Sequence, residues 1–196
     1  MKYFVVSDIH SFAKELKQAL RSAGFDKRNK NHTLIVCGDV FDRGSETMKV
    51  YKFLSSIPKK RCILIRGNHE LLFNELVNKN YPESHDFHNH TVDSMCEIAC
   101  RNIGDLHCGD ASWKEITDYV KSSAVYKWLN SKQWVNYYEL GPYIFMDHII
   151  LQARFLITVK IGAMPQITNG KKLLGEIQLI VTKQNYSNLK VKKVRF

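Results

Sequence analysis

Three short apolar runs constrain this chain more than any other feature. KYFVVS at residues 2–7, TLIVC at 33–37 and CILI at 62–65 are apolar at nearly every position. Runs without polar alternation belong to strands covered on both faces, as in a parallel sheet between other layers. Each run passes straight into a polar motif: Asp8-Ile9-His10, then GDVFDRG at 38–44, then Arg66-Gly67-Asn68-His69-Glu70. Helical spacing fills the gaps. Residues 11–23 place Phe12, Leu16, Ala19 and Leu20 on one face before Gly24, which reads as a stop. Residues 45–54 read as a short helix with Ser45 as cap, and Leu71, Leu72, Leu76 and Val77 mark a third helix. Ligands in such α/β sheets bind beyond the carboxyl ends of the strands, so the three motifs are expected to share one site.

Residues 81–92 form a polar stretch with His85, His88 and His90, read as a solvated loop in preference to a zinc cluster. Helical patterns are expected around 91–102 and 113–130. A hairpin follows, WVNYYEL and YIFM joined at Gly141-Pro142.

Length and charge divide the chain into a domain over 1–150 and a basic tail over 151–196. The 196 residues carry a net charge of +10, but the tail alone holds nine Lys or Arg against one acid, Glu176. The first 150 residues carry 20 basic and 18 acidic side chains, so the main body is close to neutral and argues against nucleic acid as partner. No apolar run reaches the roughly 18–20 residues of a membrane helix, and MKYFVVSDIH lacks the features of a signal peptide. Five cysteines without a CxxC pair read as buried free thiols, which fits a cytoplasmic location.

A turn needs Gly, Asn or Asp at one or two places, so the order Asp39-x-x-Asp42-Arg43 between glycines asks for more than a turn. Carboxylate, imidazole and amide oxygen from Asp8, His10, Asp39 and Asn68 suit divalent manganese, iron or zinc. Asp39 is the candidate bridge between two ions, which acidify a shared water into the attacking hydroxide. Arg43 offers a planar fork for phosphate oxygens. His69 is placed to protonate the leaving oxygen, with Asp42 orienting it.

DIH, GDVFDRG and GNHE together resemble the calcineurin-like metallophosphoesterases over about residues 1–147. The DRG and NHE endings are similar to the serine/threonine phosphoprotein phosphatase branch, in its small phage and bacterial form. The resemblance implies a β-sandwich flanked by helices, two divalent metal ions, and hydrolysis of phosphoric esters on a phosphorylated protein or small phosphoester. A dinucleoside polyphosphate is the alternative substrate. It also implies that the loop holding His85, His88 and His90 lies near the substrate.

The chain departs from that pattern in three places. Ser11 stands where the first motif usually ends in glycine, which is expected to narrow the mouth of the metal site. The pattern has a late V-H-G histidine; here His148 follows Asp147, one place late and without the glycine. No histidine follows 148, so a later metal-binding histidine has no counterpart. A second ion would then rely on Asp39, Asn68 and His148, the second sheet is expected to be incomplete, and a catalytically weak or inactive remnant is a further alternative. Loss of pattern and gain of charge coincide near 150, which reads as an out-of-frame tail. Codons chosen for ARFLITVKIGAMP at 153–165 can be read in another frame as KVFNYSKDWRNA, restoring a D-W-R-N-A segment like the family's.

Overall fold

Side chains on a strand alternate between its two faces, so a run that is apolar throughout needs a partner layer on each. In the computed structural model, which describes residues 1–103, 111–140, 143–146, 176–181 and 190–194, both layers are present. Strands β1 (Lys2–Ser7), β2 (His32–Cys37) and β3 (Cys62–Ile65) run parallel and adjacent. Phe4, Val6, Leu34, Val36 and Leu64 point into one core, which the helices close. Val5, Ile35, Cys37 and Ile65 point into a second, smaller core. Each buried side chain of this size contributes about 1.5–3 kcal/mol through removal from water.

The helical layer follows the apolar spacing. Helix α1 (Ala13–Ser22) buries Ala13, Leu16, Ala19 and Leu20. Helix α2 (Thr47–Ser55) begins two residues later than its sequence pattern, with Glu46 and not Ser45 at the cap position. Helix α3 (Asn68–Val77) follows β3 directly and buries Phe73, Leu76 and Val77. Residues 81–92 are not wholly loop: Ser84–His88 form the short helix α4, in which Asp86 bonds back to the Glu83 N–H. Helix α5 (Thr91–Ile103) places Met95, Ile98 and Ala99 in the main core. The pattern at 113–130 is two helices, α6 (Trp113–Ser122) and α7 (Ala124–Leu129), broken at Ser123. Ser123 adopts extended ψ and caps α7 by accepting from the Tyr126 N–H.

The expected hairpin is also divided. Trp134–Val135 is β4, which pairs with β3 in the first sheet, whereas β5 (Tyr137–Leu140) pairs antiparallel with β6 (Tyr143–Met146). This two-stranded sheet supplies the second layer: Phe145, Tyr138 and Leu140 pack on the Val5–Ile35–Ile65 face. The result is a sandwich with helices outside, as the motifs implied. Residues 176–181 and 190–194, within the segment read as a basic tail, run as strands β7 (Glu176–Val181) and β8 (Lys190–Val194). The first sheet has the order β4-β3-β2-β1-β7-β8, parallel except for β8. The domain boundary near 150 lies outside the described residues. Cys37 and Cys62 are buried, as expected, but Cys100 is disulfide-bonded. Among the described residues no helix is long and apolar enough to cross a membrane.

Candidate active site

The loops after β1 and β2 hold an unusual backbone. Among the described residues Asp8 (φ 51°), His10 (46°), Ser11 (59°), Asp39 (53°), Asp42 (74°) and Arg43 (59°) all lie in the left-handed region. That conformation costs roughly 1–2 kcal/mol per residue for side chains other than glycine, and such costs concentrate at functional sites. Cross-loop hydrogen bonds hold it. The His10 N–H donates to the Asp39 carbonyl at 2.9 Å, Ser11 N–H to Val40 O at 2.9 Å, and Gly44 N–H to His10 O at 2.9 Å. Gly44 is needed for this approach, because a Cβ there would stand 2.5 Å from the His10 carbonyl oxygen.

Glu70 ties the third motif to the second. Its fully buried carboxylate accepts the N–H groups of Gly67 (2.7 Å), Asp39 (3.0 Å) and Val40 (2.9 Å). Burial pushes this carboxyl up to about 7, the Asp39 charge adds to the rise, and the backbone donors oppose it. Gly67 must be glycine for space: a Cβ would lie 2.6 Å from the Asp39 nitrogen. Nothing in the sequence pattern singles out Glu70, because its part depends on the second loop lying within reach of α3.

The three motifs converge as expected. His10 Nε2 lies 3.9 Å from Asp8 Oδ1 and 3.8 Å from Asp39 Oδ2. His10 Nδ1 is 3.2 Å from the Phe41 carbonyl, which can only accept. The neutral ring therefore carries its proton on Nδ1 and turns the Nε2 lone pair toward the carboxylates, the form that ligates metal. His10, Asp39 and His69 offer ligand atoms within 4.8 Å of one another. Asn68 opens α3 beside them, half-buried. The donor set fits a divalent ion. His148 lies outside the described residues.

A second group adjoins the first. His69 Nδ1 lies 2.8 Å from Asp42 Oδ2, and the same oxygen accepts the Thr91 hydroxyl at 2.9 Å. Burial alone lowers the affinity of the His69 ring for a proton, but the Asp42 hydrogen bond and the charges of Asp39 and Asp42 outweigh it, so the pKa is raised despite Arg43. Arg43 Nη2 stands 3.3 Å from His69 Nε2. Because guanidinium only donates, the ring here accepts at Nε2 and donates to Asp42 through Nδ1. The Asp42 N–H donates to Ser94 Oγ, which bonds Thr47, which in turn bonds Ser11 at 2.9 Å. The Ser11 hydroxyl thus joins a buried chain of hydroxyls, where a narrowed metal mouth was expected. Thr91 and Ser94 escaped sequence reading because their role depends on α5 lying against the second loop.

The histidines of residues 81–92 separate. Glu83, His85 and Asp86 are close enough to hold a cation, but Lys79 already supplies one, 3.2 Å from Glu83 and 3.5 Å from Asp86. His88 and His90 instead line a cleft with Phe12 and Arg43.

A parallel sheet thus carries acid, imidazole and amide groups at its carboxyl edge, able to hold a divalent ion, with an Asp–His pair and an arginine beside them. Residues 1–158 match the calcineurin-like phosphoesterase family, and the chain belongs to it. It is 38% identical over 71 residues to a symmetrical bis(5'-nucleosyl)-tetraphosphatase of Buchnera aphidicola subsp. Schizaphis graminum, covering 36% of this chain and 25% of that protein. It is 30% identical over 76 residues to an asymmetrical bis(5'-nucleosyl)-tetraphosphatase of Oceanobacillus iheyensis, covering 35% of this chain and 30% of that one. A Shewanella-like protein phosphatase 1 of Plasmodium berghei is 38% identical over 82 residues, covering 36% and 23%. The matched stretches thus span about a quarter of the length of these relatives.

Proposed function

We propose that the chain hydrolyses phosphoric esters and anhydrides with divalent metal, and that its substrate is a dinucleoside polyphosphate. The observation that carries this reading is the meeting of Asp8, His10 and Asp39 with Asp42, His69 and Arg43 at the ends of parallel strands. Two of the three relatives described above are bis(5'-nucleosyl)-tetraphosphatases, which favours an anhydride over a phosphoprotein.

Asp8, His10 and Asp39 would hold one ion, and Asp39, Asn68 and His148 a second, with manganese the first choice and iron or zinc the others. When bound, such ions polarise the phosphoryl group and lower the pKa of water. Arg43 binds phosphate oxygens through its fork, and doing so draws Nη2 away from His69. His69 then holds a proton at Nε2 while its Nδ1–H stays on Asp42. With that Nε2 proton taken up from solvent, water adds its oxygen to phosphorus and releases a proton to solvent. The bond from phosphorus to the leaving oxygen breaks with its electron pair on that oxygen, and the Nε2 proton goes to it, leaving a neutral ring that solvent reprotonates.

A phosphoserine or phosphothreonine substrate is the second reading, favoured by the DRG and NHE endings and the Plasmodium relative. Diadenosine tetraphosphate, a phosphothreonine peptide and p-nitrophenyl phosphate, each with manganese and with chelator, separate these readings. Manganese-dependent cleavage fastest on the tetraphosphate is expected. Faster peptide turnover selects the second reading. No hydrolysis of any of them overturns both and leaves a catalytically inactive remnant.

A further inference from the structure

Phe12, Arg43, His88 and His90 line an open cleft of about 360 Å³. This is within the range of roughly 300–1,000 Å³ for small-molecule sites. The four residues come from different parts of the chain: the start of α1, the loop after β2, the end of α4, and the residue before α5. Arg43 is the wall shared with the Asp42–His69 pair, its Nη2 3.3 Å from His69 Nε2. The cleft therefore shares Arg43 with the ring nitrogen from which a proton would leave.

The wall opposite is built onto the same pair. The Arg43 N–H donates to the Asn89 carbonyl at 3.1 Å, and the Thr91 hydroxyl donates to Asp42. His90 sits between these anchors with φ 58°. Each imidazole is oriented through Nδ1: His90 lies 2.6 Å from Asp93 Oδ2, and His88 lies 2.8 Å from the Ser84 carbonyl. Among the described residues three flat rings and a guanidinium line the space, and no carboxylate does. Rings of this kind stack on nucleobases, and arginine binds the adjoining phosphate. The small aliphatic side chain left by a phosphoserine has no use for three ring walls.

We infer that the cleft is the subsite for the leaving nucleotide, its base against Phe12, His88 and His90 and its nearest phosphate at Arg43. The inference rests on the dinucleoside polyphosphate reading and adds where the second nucleoside lies.

Calorimetry on the full chain with saturating manganese, using ADP and pyrophosphate as probes, tests it. Stacking of one base corresponds to roughly a fivefold gain or more, so ADP is expected to bind at least that much tighter than pyrophosphate. Phe12→Ala should bring the two within about twofold while pyrophosphate binding persists, and Phe12→Tyr should restore the preference. If Phe12→Ala loses both ligands through misfolding, His88→Ala at an exposed position decides, and should reduce the ADP preference alone. Equal affinities in the unaltered protein overturn the subsite and leave the hydrolase reading intact. An ADP preference untouched by both variants also overturns it. Failure to bind either probe, together with no hydrolysis, overturns the reading beneath it.

Discussion

His69 Nδ1 and Asp42 Oδ2 stand 2.8 Å apart although 27 residues separate them in the chain. The pair forms because β2 and β3 are neighbours running the same way, which sets the loop after one beside the helix that starts after the other. If His69 donates the proton to the leaving oxygen, His69→Asn should lower kcat by about 10²–10⁴ on poor leaving groups. The loss should be smaller for p-nitrophenyl phosphate than for phenyl phosphate. An equal loss on both contradicts the role.

Asp39 is buried at the centre of the cluster, facing His10 through one oxygen and accepting the His69 N–H at 3.2 Å through the other. If it is the ligand shared by two ions, it should matter more to metal binding than Asp8 or Asn68. Calorimetry is expected to show manganese binding abolished in Asp39→Asn and only weakened in Asp8→Asn. Unchanged binding in the first variant removes Asp39 from the ligand set.

Glu70→Gln replaces one of two acceptor oxygens that together serve three buried backbone donors. At least one N–H then faces an amide donor, at a cost of about 1–3 kcal/mol. Urea denaturation should show that loss, and manganese affinity should fall with it, because the Asp39 backbone is released. Stability equal to the parent would mean the carboxylate does not hold the loops together.

Gly67→Ala would drive a Cβ against the Asp39 backbone and side chain. Overpacking of this kind costs about 1–3 kcal/mol, expected as a melting temperature several degrees lower and weaker manganese binding. A variant matching the parent in both would show that the loops have room to separate.

The tail is settled by its coding DNA. If residues past about 150 are out of frame, the alternative frame is expected to continue without an early stop and to encode a G-H histidine motif. An early stop, or no such motif, sinks the idea.

Periodicity and motif order made much of this protein legible before any coordinates. Unbroken apolar runs announced doubly covered strands because a polar side chain on either face would be stranded in a core, and both faces of β1, β2 and β3 are buried. Asp8, His10, Asp39 and His69 were readable as one site because parallel strands put their following loops on one edge. Boundaries governed by local competition were less legible. Ser123 breaks a helical pattern by capping the next helix, and residue 136 parts two strands that read as one. Contacts between distant elements were not legible at all. Thr91 reaching Asp42, Ser94 receiving the Asp42 N–H, and His88 and His90 turning toward Arg43 while His85 stays with Lys79 depend on where α4 and α5 pack. A hydroxyl or imidazole has no periodic signature, and only its neighbours in space decide whether it meets solvent, a carboxylate or a ligand.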